Sequence, residues 1–144
     1  MIVFLSDVHY GRGSYEDDRR MEEELITCLR HLERRADALY LLGDIYDCYI
    51  EYEHLIPKGL PRLQALIAEW TSAGVPVTYL VGNHDPWHRE YFSRELGVDL
   101  QDGPIRRRLQ GHDVYLAPGD GIAPSKPLYR VLKPLLRNPI LVAL

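Results

Sequence analysis

Cysteine is almost absent: Cys28 and Cys48 are the two in 144 residues. Two thiols cannot build a disulfide framework, so they read as small reduced side chains of a cytoplasmic protein. A basic excess is missing as well. The 17 lysines and arginines stand against 21 acids, for a net charge of −4, which gives no domain-wide reason to collect nucleic-acid phosphates. Long apolar runs are missing at the start: MIVFL reaches only five residues before Ser6 and Asp7, too short for a signal sequence or a membrane span. No internal repeat or low-complexity tract interrupts the chain. What is present is a 46% hydrophobic composition in 144 residues, enough for one compact domain and too little for two ordinary ones.

The apolar residues fall into alternating patterns. IVFLS (Ile2 to Ser6) is a short β-rich run ended by polar DVHYGRG, which predicts a buried strand and then a loop. In MEEELITCLRHLERR, Met21, Leu25, Leu29 and Leu32 recur at helical spacing, with acids early and arginines late as the helix dipole favours. ALYLLGD (Ala38 to Asp44) predicts a second buried strand. LPRLQALIAEWTSAG predicts a helix with Leu63, Leu66, Ile67 and Trp70 on its inner face, ended at Gly74. VPVTYLVG gives a third strand and HREYFSREL a short helix. GHDVYLAPGDG gives a turn holding His112, then a strand and a loop, and Arg106 to Arg108 read as a solvated strand edge. Strands alternating with helices predict an α/β fold whose mostly parallel sheet is covered on both faces and flanked by helices.

Such sheets bind ligands beyond the carboxyl ends of their strands. Each of the first three strands ends in residues able to hold a metal: Asp7 and His9, then Asp44 and Asp47, then Asn83, His84 and Asp85. Singly, each group is also what a helix cap, a turn with solvated acids or a polar loop would leave. Together, neighbouring strand ends deliver all three to one edge, where several carboxylates repel unless a cation lies between them. Carboxylates with imidazole and an amide oxygen suit Mn²⁺, Fe²⁺ or Zn²⁺ better than Ca²⁺, which prefers all-oxygen shells.

In that order, Asp7-x-His9, Gly43-Asp44-x-x-Asp47 and Gly82-Asn83-His84-Asp85 resemble the blocks of the calcineurin-like metallophosphoesterases. Within that superfamily, GDIYDCYIEYEHLIPKG, GNHDPWHREYF and the later RNP are similar to the UDP-2,3-diacylglucosamine pyrophosphatases of lipid A synthesis. The resemblance implies a metallophosphoesterase-like core and a divalent cofactor, Mn²⁺ first among the candidates, with two ions in the family and one or two here. It implies that Asp7 and His9 bind the first metal, Asp44 bridges, and Asn83 binds the second through its amide oxygen. His84 would contact the phosphate or protonate the leaving oxygen, at a reference pKa suited to neutral pH. Asp47 and Asp85 would orient the ligands, and Arg12, just after His9, would meet substrate phosphate. Trp87 and His88, next to the site, are candidates to line it. The implied substrate is a phosphorylated, lipid-linked nucleotide, cleaved by water into UMP and a lipid monophosphate.

The chain also departs from that pattern. Where the family has His-Gly-Asp, this chain has Pro118-Gly119-Asp120, and proline offers no donor atom. The later Gly-His-x-His motif is not found before Leu144, and His112 is a poor substitute. The expectation is therefore a C-terminally incomplete core over 1–125, holding one metal at best and hydrolysing phosphoesters poorly, with a sheet edge left open for a homodimer. Over 126–144, Lys126, Arg130, Lys133 and Arg137 align on one helical face opposite Leu128, Val131, Leu132, Leu135 and Leu136, with Pro134 as an interruption. That pattern fits either a solvated terminal helix or contact with an anionic membrane surface, placing the chain in the cytoplasm or peripherally at the inner membrane. Two other functions compete with the phosphoesterase: a catalytically inactive metal- or lipid-binding protein of the same fold, and a phosphodiesterase of nucleotides or nucleic acid. The acidic balance disfavours the last.

Overall fold

A computed structural model describes residues 1–118 of the chain. Gly119, Asp120 and the amphipathic pattern expected over 126–144 lie outside the described residues. The elements run β1 (Ile2–Leu5), α1 (Tyr15–Leu32) with a 3-10 turn at Glu33–Arg35, β2 (Ala38–Leu41), α2 (Pro61–Ser72), β3 (Val77–Leu80), a π-helical turn (Tyr91–Glu95), β4 (Asp99–Gln101), β5 (Ile105–Leu109) and β6 (His112–Leu116). Strands β1 to β4 form one parallel sheet in the order of the chain, and β5 and β6 pair antiparallel in a second.

Right-handed crossovers that always step in one direction send successive helices to the same face of a sheet. The side chains agree. Val3 and Leu5, Leu39 and Leu41, and Val77 and Tyr79 point into one cluster with Leu29 of α1 and Leu63, Leu66, Ile67 and Trp70 of α2. The alternate residues Ile2, Ala38, Tyr40 and Leu80 point the other way, against Ile105, Leu109, Val114 and Leu116 of the hairpin. Period-two alternation thus divides the sheet between two cores. Helices cover one face and a second small sheet covers the other.

Two predicted elements shift. Among the described residues β1 is the outer strand of its sheet and is only half-buried, with Phe4 47% exposed; the strand forms where expected, but it is less buried than expected because nothing among those residues pairs beyond it. Helix α1 begins six residues before Met21, since Ser14 caps it by accepting from the Asp17 amide at 3.2 Å. Helix α2 matches its predicted face: Leu63, Leu66, Ile67 and Trp70 are all buried. Its first turn holds Pro61, which has no N–H to satisfy, and Arg62, whose N–H donates to buried Glu22 of α1 at 2.8 Å. Arg62–Glu23 and Arg30–Glu69 ion pairs further link the two helices. Among the described residues no helix is long and apolar enough to cross a membrane.

Candidate metal centre

The β1–β2 ladder does not stop where the strands do. Leu42 N–H donates to Leu5 O at 2.8 Å, His9 N–H to Asp44 O at 3.0 Å, Tyr10 N–H to Ile45 O at 3.0 Å and Asp47 N–H to Tyr10 O at 2.9 Å. The two polar segments after β1 and β2 therefore travel side by side. Within them Asp7, His9 and Asp44 each take a left-handed backbone, with φ of 54°, 50° and 54°. Non-glycine residues avoid this region because Cβ crowds the following carbonyl. Three such residues in one cluster mark a place where the surrounding structure imposes a costly backbone, as active sites often do.

The result is convergence. Asp7, His9 and Asp44 each offer a ligand atom within 4.8 Å of the others, and Asp7 Oδ1 lies 3.8 Å from His9 Nε2. Asp44 is buried while Asp7 is open to solvent. Among the described residues, the ion-pair partners of Asp7 and Asp47 are histidines rather than lysine or arginine. Two carboxylates and an imidazole without a fixed counter-cation make a donor set that fits a divalent ion of the Mn²⁺, Fe²⁺ or Zn²⁺ kind.

The turn after β3 is fastened to the turn after β2 by Asp85. Its carboxylate is fully buried and accepts from the amides of Gly82 at 2.8 Å, Ile45 at 2.9 Å, Asp44 at 3.3 Å and Tyr46 at 3.4 Å, and from the Tyr79 hydroxyl at 2.5 Å. A carboxylate held by several N–H donors is a strong, direction-specific anchor. Burial first, and the neighbouring Asp85 second, push the Tyr79 hydroxyl well above its ordinary pKa, so it stays a donor. The close approach requires glycine at both turns. A Cβ on Gly82 would collide with the backbone N and the side-chain Oδ1 of Asp44, and one on Gly43 would lie 2.8 Å from Gly82 Cα.

His84 completes the rim. Its N–H donates to Asp44 Oδ1 at 2.9 Å, and its ring Nδ1 lies 3.2 Å from the Asp47 carbonyl and 3.3 Å from Asp47 Oδ1. Asn83 sits between Gly82 and His84, half-buried on the same turn. Arg12 is exposed in the turn after His9, its N–H donating to His9 O at 3.2 Å. Pro118 is buried against the same turn, its Cβ 3.2 Å from where a Gly43 Cβ would stand.

Some candidates fall elsewhere. His88 does not line the centre. It stacks on Tyr49 with centroids 4.1 Å apart, among Tyr79 and Phe92, and both ring nitrogens are buried without hydrogen bonds. Burial drives its imidazole down to about 3. His112 is the first residue of β6 rather than part of a turn, and it borders Met1 and Ile2 at the amino end of β1, opposite the centre. Cys28 and Cys48 are exposed and unpaired. Residue type alone does not mark Tyr79 or Glu51: Tyr79 falls inside the apolar run VPVTYLVG, and Glu51 stands in a stretch with no period of its own.

Residues 1–136 match the family described as calcineurin-like phosphoesterase. A protein of Porphyromonas gingivalis named UDP-2,3-diacylglucosamine hydrolase is 34% identical over 140 residues, covering 96% of this chain and 53% of its own length. A protein of the same name from Pseudomonas fluorescens strain SBW25 is 30% identical, covering 99% of this chain and 55% of its own. Another from Nitrosococcus oceani is 30% identical, with 96% and 54% covered. The chain thus spans about half the length of these curated relatives. A protein of unknown function from Aquifex aeolicus aligns over 94% of this chain and 70% of its own, with a TM-score of 0.48 and 19% identity, a likeness too loose to add to the comparison.

Proposed function

The chain belongs to the calcineurin-like phosphoesterase family, and from that premise we propose that its strand-end centre serves metal-dependent hydrolysis of a phosphoric anhydride or ester. The substrate proposed is UDP-2,3-diacylglucosamine or a close analogue, cleaved to UMP and a lipid monophosphate, as the names of the relatives suggest. The observation that carries this reading is the left-handed backbone shared by Asp7, His9 and Asp44, which brings their ligand atoms together on neighbouring strand ends.

Asp7, His9 and Asp44 would hold the cation, with Mn²⁺ the ion proposed first, and Asn83 would offer its amide oxygen beside them. A divalent ion bound there supplies Lewis-acid stabilisation of charge on phosphoryl oxygens. The chain's own groups do the rest. The His84 amide holds Asp44 Oδ1 in place, while the His84 ring stays open to solvent, where it can contact the phosphate or give a proton to the leaving oxygen. Asp85 fixes the turns of Asp44 and Asn83 relative to each other, and Asp47 lies against the rings of His9 and His84. Arg12, exposed in the turn after His9, would meet the rest of the phosphate.

The experiment is calorimetric Mn²⁺ titration with an assay on bis-p-nitrophenyl phosphate. The expected result is one bound ion, and activity lost in both Asp44→Asn and His84→Ala. Unchanged Mn²⁺ binding in Asp44→Asn would sink the reading. A second reading, an inactive binding protein of the same fold, is favoured by Pro118, which stands beside Gly43 without a donor atom where the family carries histidine. Equal assay traces with and without protein would select it. The sequence pattern over 126–144 supports peripheral contact with the inner face of the membrane, and the edge of β1, unpaired among the described residues, supports a homodimer. No nucleic-acid partner is proposed.

A further inference from the structure

One oxygen of Asp47 is the meeting point of two imidazoles. His9 Nδ1 lies 3.4 Å from Asp47 Oδ1, and His84 Nδ1 lies 3.3 Å from the same atom. The rings stand edge to face with centroids 4.7 Å apart. His9 Nδ1 is buried yet makes no hydrogen bond, so Asp47 is near it in distance but unsuited in direction. Buried polar atoms without a partner are rare enough to require a reason. Ligand atoms around a four-coordinate Zn²⁺, each at about 2.0–2.1 Å from the metal, stand about 3.3 Å apart along the edges of the tetrahedron. The spacing from Asp47 Oδ1 to each imidazole has that dimension. His9 and Asp47 are half-buried and His84 opens to solvent, which leaves a fourth position for water.

We propose that His9, Asp47 and His84 form a second cation position, selective for a four-coordinate metal such as Zn²⁺, that excludes occupancy of the Asp7–His9–Asp44 position. The proposal rests on the reading of Asp7, His9 and Asp44 as metal ligands, and adds a regulation of that centre. The exclusion follows from His9. A neutral imidazole has one nitrogen lone pair and one N–H. When Nε2 ligates on the Asp7 side, the proton sits on Nδ1; when Nδ1 ligates on the Asp47 side, the proton sits on Nε2. A neutral ring cannot serve both. The donor sets also differ in preference, since two imidazoles with one carboxylate are softer than two carboxylates with one imidazole. A metal on His84 Nδ1 replaces the contact of that nitrogen with the Asp47 carbonyl. Zn²⁺ at this position therefore takes a ligand from the working centre and immobilises its exposed histidine, so it acts as an inhibitor.

Co²⁺ tests this on the full 144-residue chain, because four-coordinate Co²⁺ absorbs visible light far more strongly than six-coordinate Co²⁺. Asp44→Asn should keep the strong spectrum, and added Zn²⁺ should abolish it. Asp47→Asn should lose the strong spectrum while still binding Mn²⁺, weakened about tenfold to a hundredfold as for a lost orienting partner. His84→Ala, a change at a solvent-exposed ring, should lose the spectrum too and guards against misfolding of the Asp47 variant. A strong spectrum persisting in both Asp47→Asn and His84→Ala overturns the proposal, as does its absence from both the unaltered chain and Asp44→Asn. Mn²⁺ binding untouched by Asp7→Asn and Asp44→Asn would instead overturn the functional reading, a separate outcome.

Discussion

Two buried carboxylates, Asp85 and Glu51, use the same device for different ends. Asp85 accepts from four amides and the Tyr79 hydroxyl. Glu51 accepts from the amides of Arg89, Glu90 and Tyr91 at 2.8–2.9 Å and lies 3.4 Å from the Tyr49 hydroxyl. Each is a carboxylate that accepts from a row of backbone N–H donors and a buried phenol. Asp85 joins two turns that carry Asp44, Asn83 and His84. Glu51 starts the π-helical turn and holds the segment that packs His88 and Phe92 into the aromatic core. The difference teaches that a clasp of this kind is a structural part, and that only its neighbours make it functional.

The sharpest way to break that contrast is Asp85→Ala. It leaves several buried donors without an acceptor, and should cost about 3–5 kcal/mol, as for one partner removed from a buried charged pair. Urea unfolding would measure it, and Mn²⁺ affinity should fall about tenfold to a hundredfold through misplacement of Asp44. Glu51→Gln should cost less, about 1–3 kcal/mol, since an amide oxygen can still accept part of the row. Its Mn²⁺ affinity should stay where it is. If Mn²⁺ binding weakens as much in Glu51→Gln as in Asp85→Ala, the two clasps are not distinct. The smallest effect at neutral pH belongs to His88. Burial holds its folded pKa near 3, opposed by a weaker pull from Glu51. The unfolded chain takes up a proton near pH 6.5 that the folded chain refuses, so His88 removes stability as pH falls from about 6.5 toward 3. The slope contributed is at most about 1.4 kcal/mol per pH unit. His88→Phe should flatten that part of the acid limb, and change stability at pH 7 by about 1 kcal/mol. An acid limb identical in the two proteins would show that His88 does not face this penalty.

The residues that were legible in the sequence are those whose chemistry shows in order and period. Asp7, His9, Asp44, Asp47, Asn83, His84 and Asp85 could be placed at strand ends because the apolar runs before them end abruptly. The inner face of α2 was readable because four large apolar residues recur on one side. The first turns of α1 were not, because YEDDRR has no apolar period and its start is set by a single capping hydroxyl at Ser14. β4 is three residues long with no alternation of its own, and exists by pairing with β3. His88 stands three residues past the site motif yet is turned inward by the Glu51 clasp, a long-range fact that adjacency in the chain misrepresents. The left-handed backbone at Asp7, His9 and Asp44 is likewise invisible in residue type, since no glycine advertises it.

The contact between Gly43 and Gly82 sets a fixed dimension. With no side chain on either backbone, the two turns lie so close that a single methyl group would force them apart. A redesign that seeks a different ion cannot widen the cradle by relaxing these turns without moving Asp44. It has to exchange the donor atoms at 7, 9 or 47 and leave the spacing as it is.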